Sequence, residues 1–384
     1  MRLAFYAPLK PPDHPVPSGD RRMARLLAQA WQTAGHEVEL ASRLASRDGE
    51  GSAARQQEIR ACAARERARL QALFGARPPA ERPAAWFTYH LYYKAPDLLG
   101  PALARALAIP YLVAEASIAG KRAGGPHDAG HRATISAIRA AARIFVLNPA
   151  DRECLEPFVE SRRLVDLPAF LDLGALAAPG EGRAALRRAL ADCHGLDGDQ
   201  SWLIAVAMMR EGDKLASYQF LGRALQGLLD LPWQLLVAGD GPARPDVEAA
   251  LGPLGAGRVF YLGLLGERDI ARCLGAADLC VWPAVNEAYG MALLEAQAAG
   301  LPVVAGAVGG VPSIVRQGHT GLLAPPGNVD VFAAAMRKLV EGPPLREAMA
   351  AAARENVRRH HDIAGAAAIL DRALREACAE AAGA

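Results

Sequence analysis

The chain is poor in the features that mark extracellular, membrane-spanning or nucleic-acid-binding proteins. Its six cysteines, Cys62, Cys154, Cys193, Cys273, Cys280 and Cys378, are scattered and include no Cys-x-x-Cys pair. That argues against a disulfide framework and a cysteine zinc site, and reads as buried thiols in a reducing compartment. Long apolar runs are missing too, since no stretch approaches the ~20 residues that a membrane-spanning helix needs. The opening segment, MRLAFYAPLKPPDHP, has only a few apolar residues before its prolines and does not read as a signal peptide. The expected location is cytoplasmic, peripheral at the inner membrane surface at most. No excess of one charge exists either: 43 Lys and Arg stand against 41 Asp and Glu. Nothing global therefore draws the protein to nucleic acid or to an anionic surface. No G-x-G-x-x-G follows the first apolar run, and proline breaks Gly239-Asp240-Gly241-Pro242, which argues against a dinucleotide-dependent oxidoreductase.

What is present is apolar material in two similar series. The run RLAFYA (2–7) is followed by a proline-rich loop closing with Ser18-Gly19-Asp20, and then by Met23, Leu26, Leu27, Ala30 and Trp31 at helical spacing. Gly35 stops that helix, and VELAS (38–42) reads as the next strand. Further strands fit 86–89, 110–116 and 143–148. The alternation then restarts with 203–209, 233–241, 258–263, 279–284 and 302–307. Strand–helix alternation of this kind makes parallel α/β layers, and 384 residues exceed one ordinary core. The expected fold is therefore α/β, with two Rossmann-like domains facing across a cleft at the carboxyl ends of their strands. The domains are placed at 1–170 and 173–364, with the crossover in the stretch 168–182. The apolar face of AAAILDRALREA suggests that the last helix, within 365–384, returns to the first domain.

Two segments stand out. Residues 53–74 are helix-prone and carry Arg55, Arg60, Arg65, Arg67 and Arg69. They read either as a solvated arginine face or as a surface for an anionic lipid or polyanionic acceptor. The second is Asn286-Glu287-Ala288-Tyr289-Gly290-Met291, running on to Gly300. Met291 to Ala299 is strongly helix-forming, and Gly300 with Leu301-Pro302 ends it. A strand, a tight turn at Gly290 and a helix present amides and a positive dipole end to an anion such as a diphosphate. Glu287 precedes that helix and Glu295 lies inside it.

Glu, seven residues, Glu, then a Gly-Leu-Pro-Val-Val strand resembles the signature of the retaining family 4 glycosyltransferases of the GT-B fold. GGVPSIV (309–315), GHTGLLAPPGN (318–328), VAGDGP (237–242), LPAFLD (167–172) and the loop before RRMARLLAQAWQTAGHEVEL agree with it. The resemblance spans nearly the whole chain. It implies transfer of a hexosyl-type sugar from a UDP- or GDP-linked donor to a saccharide, lipid or small-molecule acceptor. It also implies retention of anomeric configuration, with no metal and no cofactor, the nucleotide sugar being a substrate. Carried over residue by residue, Glu287 contacts the transferred sugar and Glu295 the ribose. Gly290 and Met291 offer amides to the diphosphate, the turn Gly321-Leu322-Leu323 approaches the nucleotide, and the loop glycine Gly19 closes on the phosphates. Gly309 and Gly310 read equally as a plain turn.

The family's Gly-Arg-Leu, then Lys, is altered here: Met208 stands at the arginine position and Arg210 comes two residues later, ahead of Lys214. A departing nucleoside diphosphate gains charge that Arg and Lys stabilise, so Arg210 and Lys214 are the candidates. On the acceptor side the candidates are His90, Glu115 and the loop with Lys121 and Arg122, which reads equally as a mobile surface loop. Asp197-Gly198-Asp199 matches the Asp-x-Asp of metal-dependent transferases but reads as a turn. A nucleotide-sugar epimerase of the same fold and a non-catalytic nucleotide-sugar-binding protein remain as alternatives, and the placing of both glutamates on one side of an anion seat argues against a glycosidase.

Overall fold

In the computed structural model, which describes residues 1–16, 18–120, 123–176 and 182–383, the short apolar runs form two six-stranded sheets. The first contains β1 (Arg2–Tyr6), β2 (Glu37–Ser42), β3 (Ala85–Leu91), β4 (Tyr111–Ala116), β5 (Arg143–Val146) and β6 (Leu164–Asp166), in the order β2-β1-β3-β4-β5-β6. The second contains β7 (Ser201–Val206), β8 (Trp233–Ala238), β9 (Val259–Gly263), β10 (Leu279–Trp282), β11 (Val303–Gly306) and β12 (Gly321–Ala324), in the order β12-β11-β10-β7-β8-β9. Neighbouring strands within each sheet pair in parallel. Helices cover both faces of such a sheet, which is why most strands are continuously apolar rather than alternating. Residues Leu203, Ile204, Leu235, Leu236, Val303 and Val304 are fully buried.

The chain divides into one unit of Met1–Pro168 with Ile363–Ala384 and a second of Ala169–Asp362. Both are Rossmann-like. Taken in chain order, the strands of the second unit run 3-2-1-4-5-6 across the sheet, and those of the first run 2-1-3-4-5-6. Each sheet therefore has a switch point, β7 beside β10 in one and β1 beside β3 in the other, where α/β sheets open their ligand crevice at the carboxyl ends.

Helix ends follow their residues. Ser18 caps the helix Gly19–Thr33 by accepting from the Arg21 amide at 3.2 Å, and Met23, Leu26, Leu27, Ala30 and Trp31 are buried at helical spacing. Gly19 is thus the first helical residue and not part of the loop, because the Ser18 side chain starts the helix there. The basic segment forms the helix Ala53–Gly75, which buries only Ile59, Ala63, Leu70 and Phe74. No helix among the described residues is long and apolar enough to cross a membrane. The last helix, Ile363–Gly383, packs on Gly19–Thr33 in the first unit. Asp371 meets His36 Nε2 at 2.9 Å, and Glu380 takes Arg143 in a two-point pair at 2.7 and 2.9 Å.

Two expectations are corrected. Gly321-Leu322-Leu323 is not a turn but the start of edge strand β12, registered against Val303-Val304-Ala305. A Cβ on Gly321 would stand 2.2 Å from the Val303 carbonyl oxygen, so the glycine is required by the close approach of β11. The runs 203–209 and 233–241 are also shorter as strands, because β7 ends at Val206 and β8 at Ala238. Met209 stays fully buried beyond the strand end, which prolongs the apolar run without prolonging the sheet.

Candidate active site

At the second unit's switch point, the segment after β7 and the segment after β10 are tied together. Gly212, with φ +78°, opens the helix Asp213–Gln226. Its first two turns hold the loop after β10 at three points. The Ser217 hydroxyl accepts from the Val285 amide at 3.1 Å, Asp213 accepts from the Asn286 side chain at 3.0 Å, and Lys214 Nζ donates to Glu287 Oε2 at 2.5 Å. Lys214 Nζ also lies 5.5 Å from the centre of the Trp282 ring. The loop needs such anchoring, because Ala284, Asn286 and Gly290 all have φ between +51° and +77°, and non-glycine residues adopt that region only under compensation. Gly309 and Gly310 are more than a plain turn. A Cβ on Gly309 would stand 2.2 Å from the Glu287 carbonyl oxygen and one on Gly310 2.6 Å from that of Ala288, and the Gly310 amide donates to the latter at 2.8 Å.

Gly290 is the N-cap of the helix Met291–Ala298, which starts without a side-chain cap, so its first amides and dipole are available to an anion. Glu295, inside that helix, is only 4% exposed and so is no solvated helix carboxylate. Burial, and then the Glu295 charge, push the Cys280 thiol up to about 12. The other expected residues are placed differently. Arg210 is exposed, and its guanidinium has no ion-pair partner among the described residues. Leu322 is buried and Leu323 half-buried in β12. Asp197 accepts from the Asp199 amide at 2.9 Å and from the Gln200 side chain at 3.1 Å, forming a turn before the amino end of β7, at the opposite edge of the sheet from Lys214.

The first unit has its own strand-end cluster. His90, near the end of β3, and Glu115, near the end of β4, are both left-handed, with φ of +60° and +58°. His90 Nδ1 lies 3.0 Å from Asp20 Oδ1 and 3.7 Å from Glu115 Oε1, and Glu115 Oε2 is buried without a hydrogen-bond partner. Asp151, in the helix Pro149–Leu155 that follows β5, completes the group electrostatically. Burial alone would depress His90, but Glu115, then Asp20, then Asp151 hold it up at about 9. Burial and the Glu115 charge push Asp151 up to about 6 against the pull of His90. Sequence reasoning missed Asp20 and Asp151. Each sits in the first turn of a helix, where an acidic residue is ordinary for dipole reasons alone. Gly19, beside Asp20, has open space where a side chain would be. Lys121 and Arg122 lie outside the described residues.

Comparison with known proteins bears on both units. Residues 200–342 match the family model described as Glycosyl transferases group 1. The chain is 32% identical over 220 residues to the alpha-D-kanosaminyltransferase of Streptomyces kanamyceticus, a match covering 56% of this chain and 55% of that protein. The chain spans about half the length of the curated relatives it matches. The sucrose-phosphate synthase structure from Thermosynechococcus elongatus superposes with a TM-score of 0.72 at 19% identity, over 99% of this chain and 100% of that one. The structure of Anabaena HepE in complex with UDP and glucose gives 0.70 at 14% identity, over 98% and 100%. At such identities the structures speak to fold alone. The chain thus has the GT-B fold, and its residues 200–342 are similar to the group 1 glycosyl transferases.

Proposed function

We propose that the protein is a retaining, metal-independent glycosyltransferase, similar to family 4, that moves a hexosyl-type sugar from a nucleotide diphosphate to an acceptor hydroxyl. The observation that carries this reading is the Lys214–Glu287 pair at the β7/β10 strand ends, next to the uncapped helix start at Met291. A cation, free helical amides and a carboxylate at one switch point suit a diphosphate and a sugar hydroxyl in adjacent positions. The similar HepE structure, in complex with UDP and glucose, favours a UDP-linked over a GDP-linked donor.

On this reading Glu295 receives the ribose hydroxyls, Glu287 the sugar, and the amides after Gly290 the diphosphate. The bond from the anomeric carbon to the phosphate oxygen breaks, its electron pair stays on the leaving diphosphate, and the acceptor oxygen bonds to the same face of the sugar. The acceptor's proton passes to that leaving phosphate oxygen. Lys214, with Arg210 if its exposed side chain swings in, stabilises the charge that develops there. The first unit, with His90 and Glu115, receives the acceptor. The free cysteines suit a cytoplasmic setting.

A thermal-shift panel of UDP- and GDP-sugars, followed by turnover with simple acceptors, tests the proposal. One nucleotide series should raise the melting temperature, since a ligand binding only the native state adds RT ln(1 + [L]/Kd). Turnover should survive EDTA and keep the anomeric configuration, read by proton NMR of the product. Loss in EDTA restored by Mg²⁺ would remove metal independence. Binding with no turnover would leave a nucleotide-sugar-binding protein.

A further inference from the structure

The first unit contains a cavity that no part of this assignment uses. Its volume is about 160 Å³, and its walls include Ile59 and Arg60 of the helix Ala53–Gly75, Tyr93 and Lys94 after β3, and His127 and Arg132 around the start of the helix Asp128–Ala140. Its charges are unevenly matched. The Asp48 carboxylate at its back is already occupied, accepting from the amides of Glu50 and Gly51 at 3.1 Å each and from Gln56 Nε2 at 2.9 Å. Arg132 shares Asp128 at 3.1 Å. Arg60 and Lys94 have no carboxylate partner among the described residues, and Lys94 Nζ rests 5.9 Å from the Tyr93 ring centre. The helix beginning at Asp128 has no side-chain cap, and a Cβ on its Gly130 would stand 2.2 Å from the Tyr93 carbonyl oxygen. The helix start is already complemented by the Asp128 carboxylate in its first turn, so the two unmatched cations, over an apolar floor, make the anion seat, which also accepts a carbon skeleton.

Packed side chains link the wall of the cavity to the strand-end cluster. His90, Tyr92, Tyr93 and His127 form a continuous file of rings with successive centroid separations of 5.1, 5.6 and 5.2 Å.

We propose that this cavity is an acceptor-side subsite for an oxyanion, a phosphate monoester above all, with Arg60 and Lys94 as its charge partners and Ile59 and Tyr93 under the carbon skeleton. The inference rests on the reading that the first unit handles the acceptor, but the seat itself is measurable without any turnover. The full chain is titrated calorimetrically, at constant ionic strength, with inorganic phosphate, with glucose 6-phosphate, and with vesicles containing phosphatidic acid. The same titrations are run on Arg60→Gln/Lys94→Gln and on the charge-conserving Arg60→Lys/Lys94→Arg. Saturable binding should weaken roughly tenfold or more in the neutral variant, as loss of charge-assisted contacts dictates. It should be largely kept in the charge-conserving one. Glucose 6-phosphate binding tighter than phosphate identifies a saccharide phosphate as the source, whereas binding confined to vesicles identifies a lipid headgroup; either supports the seat. Absence of saturable binding by all three probes, or equal binding in the neutral variant, overturns it. UDP is titrated in parallel and should bind every variant alike. Failure of UDP to bind the unaltered protein would strike the donor assignment while leaving the phosphate result legible.

Discussion

Lys214 and Glu287 are 73 positions apart, and each limits what the other can do. While Glu287 holds the ammonium, an arriving diphosphate must compete with a carboxylate for it. Glu287→Gln removes that competitor, so free UDP should bind no more weakly, and roughly two- to fivefold more tightly, in line with the worth of a partly exposed pair. Turnover of the intact donor should fall at least about tenfold, since the sugar loses its charged acceptor. Glu295→Gln should instead weaken UDP and donor alike by roughly five- to thirtyfold, because both carry the ribose. Calorimetric titration of both variants with UDP and with donor decides the division, and equal weakening of free UDP by the two would end it. His90 offers a second residue-scale test. Its folded pKa of about 9 lies above the ordinary value of 6.5, so the stabilisation from its charged form is complete below about 6.5 and is lost as pH rises through 9. The melting temperature should therefore fall between pH 6.5 and 9.5, and fall less steeply in His90→Gln. Asp151, raised to about 6, works below that window, its contribution being lost from about pH 4 to 6. Parallel curves for the two proteins would remove His90 from the account.

At the scale of elements, the loop after β10 is shaped as much by what lies behind it as by its own residues. Gly309, at φ +52° and with the Glu287 carbonyl in the space of a side chain, admits no larger residue without moving that loop. Gly318 is a fair control, since at φ +72° it has nothing within 4 Å. Gly318→Ala should cost about 1 kcal/mol from backbone strain alone and leave UDP affinity unchanged. Gly309→Ala should add about 1–3 kcal/mol of overpacking and lower UDP affinity as well. Denaturant melts with UDP titration check both, and a Gly309→Ala protein that behaves like Gly318→Ala would sever the turn from the site. The sequence could not show this support, because a Gly-Gly pair before Val-Pro is equally at home in an unpacked turn. For a similar reason β12 was legible only as a turn: four residues beginning with glycine and ending before two prolines carry no period. The long helix Ala53–Gly75 and the helix after Gly290 were legible because continuous helix formers and a glycine stop need no tertiary information.

For the molecule as a whole, two rounds of strand–helix alternation disclosed the α/β class and the pair of sheets, whereas the meetings at the strand ends were hidden. Asp20 and His90 are 70 positions apart and Lys214 and Glu287 73. Each pair meets only because β1 lies beside β3 and β7 beside β10, an order that alternation alone does not encode. The last helix shows the same dependence on topology. Its apolar stripe demands a partner, and the partner it finds is the helix Gly19–Thr33, with His36 ahead of β2 and Arg143 at the start of β5. Arg143 is 4% exposed and is satisfied by Glu380 at two points, so its removal leaves a poorly matched buried site rather than a mere surface gap. Arg143→Gln should therefore destabilise the first unit by about 1–3 kcal/mol, the cost of a buried charge-assisted pair whose carboxylate can return to water. A chain of two units need not unfold in one step, which makes a single melting temperature ambiguous. Hydrogen exchange resolves the matter by segment. Protection should drop in 2–6, 143–146 and 363–383 and stay as it was in 201–206 and 233–238. An equal drop in both sets would mean that the last helix does not stabilise the first unit in particular, and that the pairing of Arg143 with Glu380 is incidental to it.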